Sequence, residues 1–201
     1  MKFVKFYLAV IIFSLSFNAG ANEAKNWLKK EIDTIISAYQ NLNISNEKKF
    51  LLIEQTINDN FAGTGIAKFV AGKSWSLAKK ESKLNYIKLF KRHLALNIAS
   101  MMQGYSNQNY ELTNSSYDQK NKITLIDMEI FSDTGSIIVT WRVKKSKDRL
   151  FVIDLLVADI SLVVTKRSEF NSMLKTVNYN LEEFNNKLLA QNESSLKKLI
   201  D

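Results

Sequence analysis

Between residues 110 and 157 the apolar side chains fall on every second position, and on both sides of that stretch they fall on every third and fourth. A strand alternates its faces every two residues and a helix every 3.6, so no single element satisfies both periods. The chain must therefore pass from helices to a sheet and back to helices. This is an α+β arrangement, with the sheet covered by helical segments from both ends of the chain.

The helical spacings locate the individual elements. Leu28, Ile32, Ile35, Tyr39 and Leu42 set one apolar stripe on a first helix over residues 22–43. Ser45 is placed to cap a second helix over 46–59, with Glu47 in its first turn. Residues 61–72 read as a short helix carrying Ile66, Phe69 and Val70 and ending at Gly72. Ser76 opens the longest helix, where Leu84, Ile87, Phe90, Leu94, Ile98, Met101 and Tyr105 keep the step. Four strands follow at 110–117, 122–131, 137–144 and 150–157, joined by short polar turns as an antiparallel meander. Ile137, Val139, Trp141 and Val143 share a face of the third strand, and Phe151, Ile153, Leu155 and Val157 share a face of the fourth. Residues 165–177 and 179–191 return to helix, with Phe170, Leu174, Val177, Leu181, Phe184 and Leu188 inward.

The first 21 residues stand apart from this pattern. Lys2 and Lys5 precede an apolar run from Phe6 to Phe17, too short for an ordinary membrane span, and Ala19-Gly20-Ala21 supplies small residues for a signal peptidase. The expectation is an exported chain with a signal peptide at 1–21, cleaved after Ala21, and a single domain at 22–201. Removing Lys2 and Lys5 takes the formal charge from +8 to +6, which favours anionic surfaces. The basic clusters, such as Lys91-Arg92 and Lys166-Arg167, are too short to line a nucleic-acid groove. Cysteine is absent, so the packed core must supply the stability.

Catalytic groups are scarce. The single histidine, His93, rules out a histidine-rich metal site, and one step off the apolar stripe it reads as a boundary or surface residue. Gly63-Thr64-Gly65 lacks the lysine of a phosphate loop. The carboxylate pairs Asp127 with Glu129 and Glu182 with Glu183 read as solvated faces. The chain is read as a non-enzyme with neither metal nor catalytic cofactor.

One stretch carries more specific information. Residues 154–170 read Asp-Leu-Leu-Val-Ala-Asp-Ile-Ser-Leu-Val-Val-Thr-Lys-Arg-Ser-Glu-Phe. Together with Ile66-Ala-Lys-Phe69-Val-Ala-Gly72-Lys-Ser-Trp75, Phe90-Lys-Arg-His93-Leu94 and Val139-Thr-Trp141-Arg142, they resemble the periplasmic phospholipid-shuttle family of the Mla (maintenance of lipid asymmetry) system, also called the toluene-tolerance auxiliary family. The resemblance covers nearly all of the chain after residue 21. The sequence departs from the family pattern at His93 and Ile98, where tyrosines are usual, at Leu150, where a tryptophan is usual, and at Asp159, which replaces a glycine.

The resemblance implies a curved sheet and covering helices that enclose an apolar cavity for phospholipid acyl chains, with the headgroup outside. It implies a periplasmic location, and as partners an inner-membrane ABC transporter with a substrate-binding ring and an outer-membrane lipoprotein complex. At about 0.8 kcal/mol per methylene, two chains of about thirty methylenes together resist water by over roughly 20 kcal/mol, which only a deep, dry pocket offsets. Phe69, Phe90, Leu94, Ile98, Val139, Trp141, Ile153, Leu155, Phe170 and Leu174 are the expected wall. Asp154, Ser161 and Arg167 match the family's polar positions and are read as closing the sheet-to-helix junction, ahead of headgroup recognition. A carrier of another lipid (a hopanoid or a lipoprotein acyl group), a small-molecule enzyme on a similar cone-shaped fold and a basic chaperone remain as alternatives.

Overall fold

The computed structural model describes residues 2–104, 108–132 and 135–201, with side chains from residue 20 onward. Helix α1 (Lys2–Gln40) runs without a break past the expected start at residue 22, since one interior glycine, Gly20, disfavours a helix by only about 1 kcal/mol. It stops before Asn43 because the Asn41 side chain accepts from the Asn43 amide at 2.9 Å, a local turn that competes with the next helical bond. Leu42 consequently leaves the stripe and is 94% exposed.

Helix α2 (Asn46–Asn60) is capped as expected, with Ser45 Oγ accepting from the Lys48 amide, and it buries Phe50, Ile53 and Ile57. Helix α3 (Gly63–Ala71) ends at Gly72, whose φ of 55° is the left-handed conformation that glycine reaches without strain. The expected long helix from Ser76 is two: α4 (Lys73–Leu77) and α5 (Lys80–Gln103), parted by extended backbone at Ala78 and Lys79.

Five antiparallel neighbours form the sheet in chain order: β1 (Tyr110–Asp118), β2 (Ile123–Ser132), β3 (Gly135–Ser146), β4 (Arg149–Val157) and β5 (Ile160–Ser161). The turn expected between β2 and β3 falls partly on Asp133 and Thr134, outside the described residues. The unforeseen β5 follows a two-residue turn in which Ala158 and Asp159 both hold positive φ, the hairpin geometry that matches strand twist. A bulge sets Arg142 against Asp154 but Val143 against Val152 and leaves Ile153 unpaired, so the inward phase of β4 changes midway.

Helices α6 (Leu162–Lys175) and α7 (Leu181–Ile200) return over the first helices. Helix α7 continues past residue 191 because buried Asn192, which interrupts the apolar pattern, donates Nδ2 to the Leu89 carbonyl at 2.9 Å. Asn185 Nδ2 does the same to the Ser82 carbonyl, so α5 and α7 run parallel with matched seven-residue steps. That register turns Tyr86, Leu89, Phe90, His93 and Leu96 of α5 inward and leaves Leu84 and Met101 exposed; Tyr105 lies outside the described residues.

Two apolar clusters result. One fills the helical layer around Phe50, Ile57, Tyr86, Phe90, Phe170, Phe184 and Leu188. The other lies between α1 and the sheet, with Ala24 and Leu28 packed over Leu112, Ile126, Met128, Val139 and Val143. Trp27, Trp141 and Leu155 touch both clusters and mark the seam between them.

Candidate functional site

A partly enclosed cavity of about 60 Å³ sits at that seam. Trp27, Leu28, Ile32 and Ile35 of α1 form one wall, and Ile53 and Ile57 of α2 form a second. Phe61, Ile98 of α5, Trp141 of β3 and Val152 of β4 complete it. The polar side chains in the wall turn their polar atoms away from the space: Asn60 Nδ2 donates to Glu31 Oε2 at 2.6 Å, Thr56 Oγ1 donates to the Leu52 carbonyl at 2.9 Å, and Trp141 Nε1 is buried without a hydrogen-bond partner. The walls therefore present hydrocarbon, and such a space stays dry.

At about 60 Å³ the cavity is smaller than the deep, dry pocket expected from the sequence. Ligand pockets usually hold about 300–1,000 Å³. An empty apolar hollow of about 500 Å³ would be disfavoured by about 12 kcal/mol at about 24 cal/mol per Å³. Side chains of α1 fill the interior instead and leave a remnant. A larger depression of about 560 Å³ follows the solvent face of α1 past Asn26, Lys29, Lys30 and Asp33, but it is open to solvent and lined by polar and charged residues. There the Lys29 ammonium, and secondarily the Tyr110 hydroxyl, hold the Asp33 carboxyl below its ordinary range.

The expected wall residues divide among several places. Ile98 and Trp141 line the cavity. Leu155 lies at the seam, Val139 lies under α1, and Leu94 packs on the helical cluster. Phe90, Phe170 and Leu174 belong to the interior of the helical layer, where Phe170 meets Phe90 edge-on at 5.8 Å and Phe184 at 5.2 Å. Phe69 is 42% exposed, with the Arg167 guanidinium 4.3 Å from its ring centre. Ile153 falls at the bulge, outside both clusters.

His93 is not at the surface. It is 4% exposed, 5.4 Å from the Phe170 ring, with Nδ1 3.3 Å from Asn192 Oδ1. Burial, and then the Lys166 charge, lower its pKa below the ordinary histidine value, against an opposing contribution from Asn192. Burial likewise raises the Tyr86 phenol. Both groups lie in the core.

The polar junction takes the structural form read from the sequence. Asp154 Oδ2 accepts from Ser161 Oγ at 2.6 Å and from Arg142 at 3.2 Å, while Oδ1 accepts from the Leu155 and Val163 amides. Ser161 Oγ in turn accepts from the Val164 amide and so caps α6. Arg167 donates to the Phe69 carbonyl at 3.0 Å and ties α6 to α3. Both short basic clusters are engaged locally, Arg92 with Glu54 at 2.7 Å and Lys166 with Glu169 at 2.8 Å.

Comparison with known proteins now bears on this geometry. The profile of the MlaC protein family matches residues 29–189, most of the chain. The chain belongs to the MlaC family. Among solved structures it is similar to the phospholipid-binding protein from Ralstonia solanacearum, determined in complex with a phospholipid. That likeness has a TM-score of 0.71 at 18% identity and covers 85% of this chain and 98% of the other, which establishes a shared fold. Comparison with curated proteins finds no match.

In this MlaC-family chain the cavity residues missed from sequence are Trp27, Leu28, Ile32, Ile35, Ile53, Ile57, Phe61 and Val152. A signal was available for α1: Leu28, Ile32 and Ile35 form an amphipathic stripe whose partner had to be the sheet or α2. Among the described residues, no group of three or more His, Cys, Asp or Glu is placed to hold a metal ion, and no helix is long and apolar enough to cross a membrane.

Proposed function

We propose that this chain is a periplasmic carrier that buries phospholipid acyl chains between the sheet and its covering helices and shuttles lipid between two membranes. One observation carries the reading: a cavity that exposes only apolar surface at the helix–sheet seam of a chain with MlaC-family membership. The phospholipid complex of the Ralstonia solanacearum neighbour supports the choice of ligand.

The physics requires expansion of the interior. Acyl chains that resist water by over roughly 20 kcal/mol repay the separation of packed apolar walls, because each wall exchanges one hydrocarbon contact for another. The phosphate-bearing headgroup stays in water, where its charge carries no desolvation penalty. No bond is made or broken, and the chain acts by burial alone. An inner-membrane ABC transporter with a substrate-binding ring and an outer-membrane lipoprotein complex are the proposed donor and acceptor, met through weak docking that the net positive charge assists. Residues 1–21 serve as the export signal, and the carrier begins at Asn22.

Organic-solvent extraction of the purified chain followed by mass spectrometry tests the ligand. The expected result is diacyl phospholipid near one per chain, and a lipid-free extract with no uptake from vesicles refutes the carrier. N-terminal sequencing of protein recovered from the periplasm tests the processing, with Asn22 expected first.

A further inference from the structure

The seam cavity is far smaller than an acyl chain, and one of its walls differs from the rest. Trp27, Leu28, Ile32 and Ile35 all project from α1; beneath the first three lies the apolar face of β2 and β3, including Ile126, Met128 and Val139, and Ile35 packs on the helical cluster. From Ala24 to Ile35 the helix advances about 17 Å. One leaflet's share of a bilayer's hydrocarbon is about 15 Å deep. The bed under α1 therefore has the length and the chemistry of one acyl chain.

The anchorage of α1 is also distinct. From Asn22 onward its buried residues are Ala24, Leu28 and Ala38, only one of them large, whereas α2 buries Phe50, Ile53 and Ile57 and α5 buries Tyr86, Leu89 and Phe90. Its polar ties lie at or near the surface: Glu23 to Lys145 at 2.7 Å, both about half exposed, Glu31 to Asn60, and Asp33 to Tyr110. An exposed pair such as Glu23 with Lys145 contributes little and parts readily. In the link to α2, residues 41–45, Leu42 is unpacked.

We propose that α1 is a displaceable lid whose apolar stripe occupies the acyl-chain bed, and that a phospholipid loads by lifting α1 off the sheet about residues 41–45. This rests on the reading of the chain as a phospholipid carrier. Loading is then a competition for one surface between the protein's own helix and the lipid tail.

The chain has no cysteine, so a pair can be introduced without interference. Glu23→Cys with Lys145→Cys, joined by a short bismaleimide containing a cleavable disulfide, pins α1 to β3. Uptake is followed from vesicles of phosphatidylethanolamine and phosphatidylglycerol carrying a phospholipid with a fluorescent chain. The joined protein is expected to load at least tenfold less than the same sample after reductant releases the link. Equal loading before and after release overturns the lid. Absence of loading in the released sample overturns the carrier reading and the lid with it. As a second readout, amide protons of residues 27–37 should exchange faster in the loaded protein, and unchanged protection there also overturns the lid.

Discussion

Leu28→Ala separates stability from loading. Leu28 is 1% exposed and belongs both to the α1–sheet cluster and to the cavity wall. Truncation of a buried leucine costs between about 2.7 and 5.0 kcal/mol, according to how far the hole collapses. Here the hole joins an existing cavity of about 60 Å³, so collapse is incomplete, and about 3 kcal/mol is expected. In a domain of this size that lowers the Tm by about 6–12 °C. If α1 leaves the sheet on loading, the open form never had the Leu28 contact and is not penalised. The opening equilibrium then shifts by the full amount, about 100-fold. Melting curves and vesicle uptake on the same preparation are the assay. A lowered Tm with slower or unchanged uptake would refute the reasoning, because it would mean that Leu28 stays packed in the loaded state.

Three further outcomes follow from the geometry. The His93 pKa lies below 6.5, so the unfolded chain binds the proton more readily; stability is complete above pH 6.5 and falls as pH drops toward the lowered folded value, by at most about 1.4 kcal/mol per pH unit. Urea midpoints between pH 5 and 7 should show this slope, and His93→Gln should flatten it, with the lone imidazole unambiguous by NMR. Asp154→Ala removes the acceptor shared by Ser161, Arg142 and two amides and should destabilise by about 3 kcal/mol in a thermal melt, with loss of helix at α6. Val139→Asp places a carboxylate in the closed cluster under α1 and should destabilise by about 3 kcal/mol or more, read as a lowered denaturant midpoint.

Much of the fold is legible because period and capping are local. The change to alternation at residue 110 placed four strands within two residues of their observed ends, and Ser45 and Gly72 marked helix ends through their own chemistry. What escaped depends on partners distant in sequence. The inward face of α5 is chosen by α7 through Asn185 and Asn192, and that choice buries His93. The bulge at Ile153 answers to β3, and no pattern within β4 announces it. For the site, spacing shows that a stripe is covered and is silent on what covers it. Phe90 and Phe170 therefore went to a neighbouring helix rather than to the cavity, while Trp141 and Ile98, at the meeting of layers, reached it.

The treatment of β4 has a consequence for how this molecule survives at high concentration. A flank with unpaired amides and carbonyls invites the strand of another copy and ends in aggregates. Here β5 covers one end of that flank, and the Phe61 bridge to Val152, with the Ala62 amide donating to the Val152 carbonyl at 2.9 Å, covers the other. On the opposite border, β1 carries Glu111, Asn114, Ser115 and Ser116 and a register break after Leu112, features that discourage a foreign strand from continuing the ladder. A protein whose covering helix lifts away can thus bare its sheet to a small guest without offering its borders to its own kind.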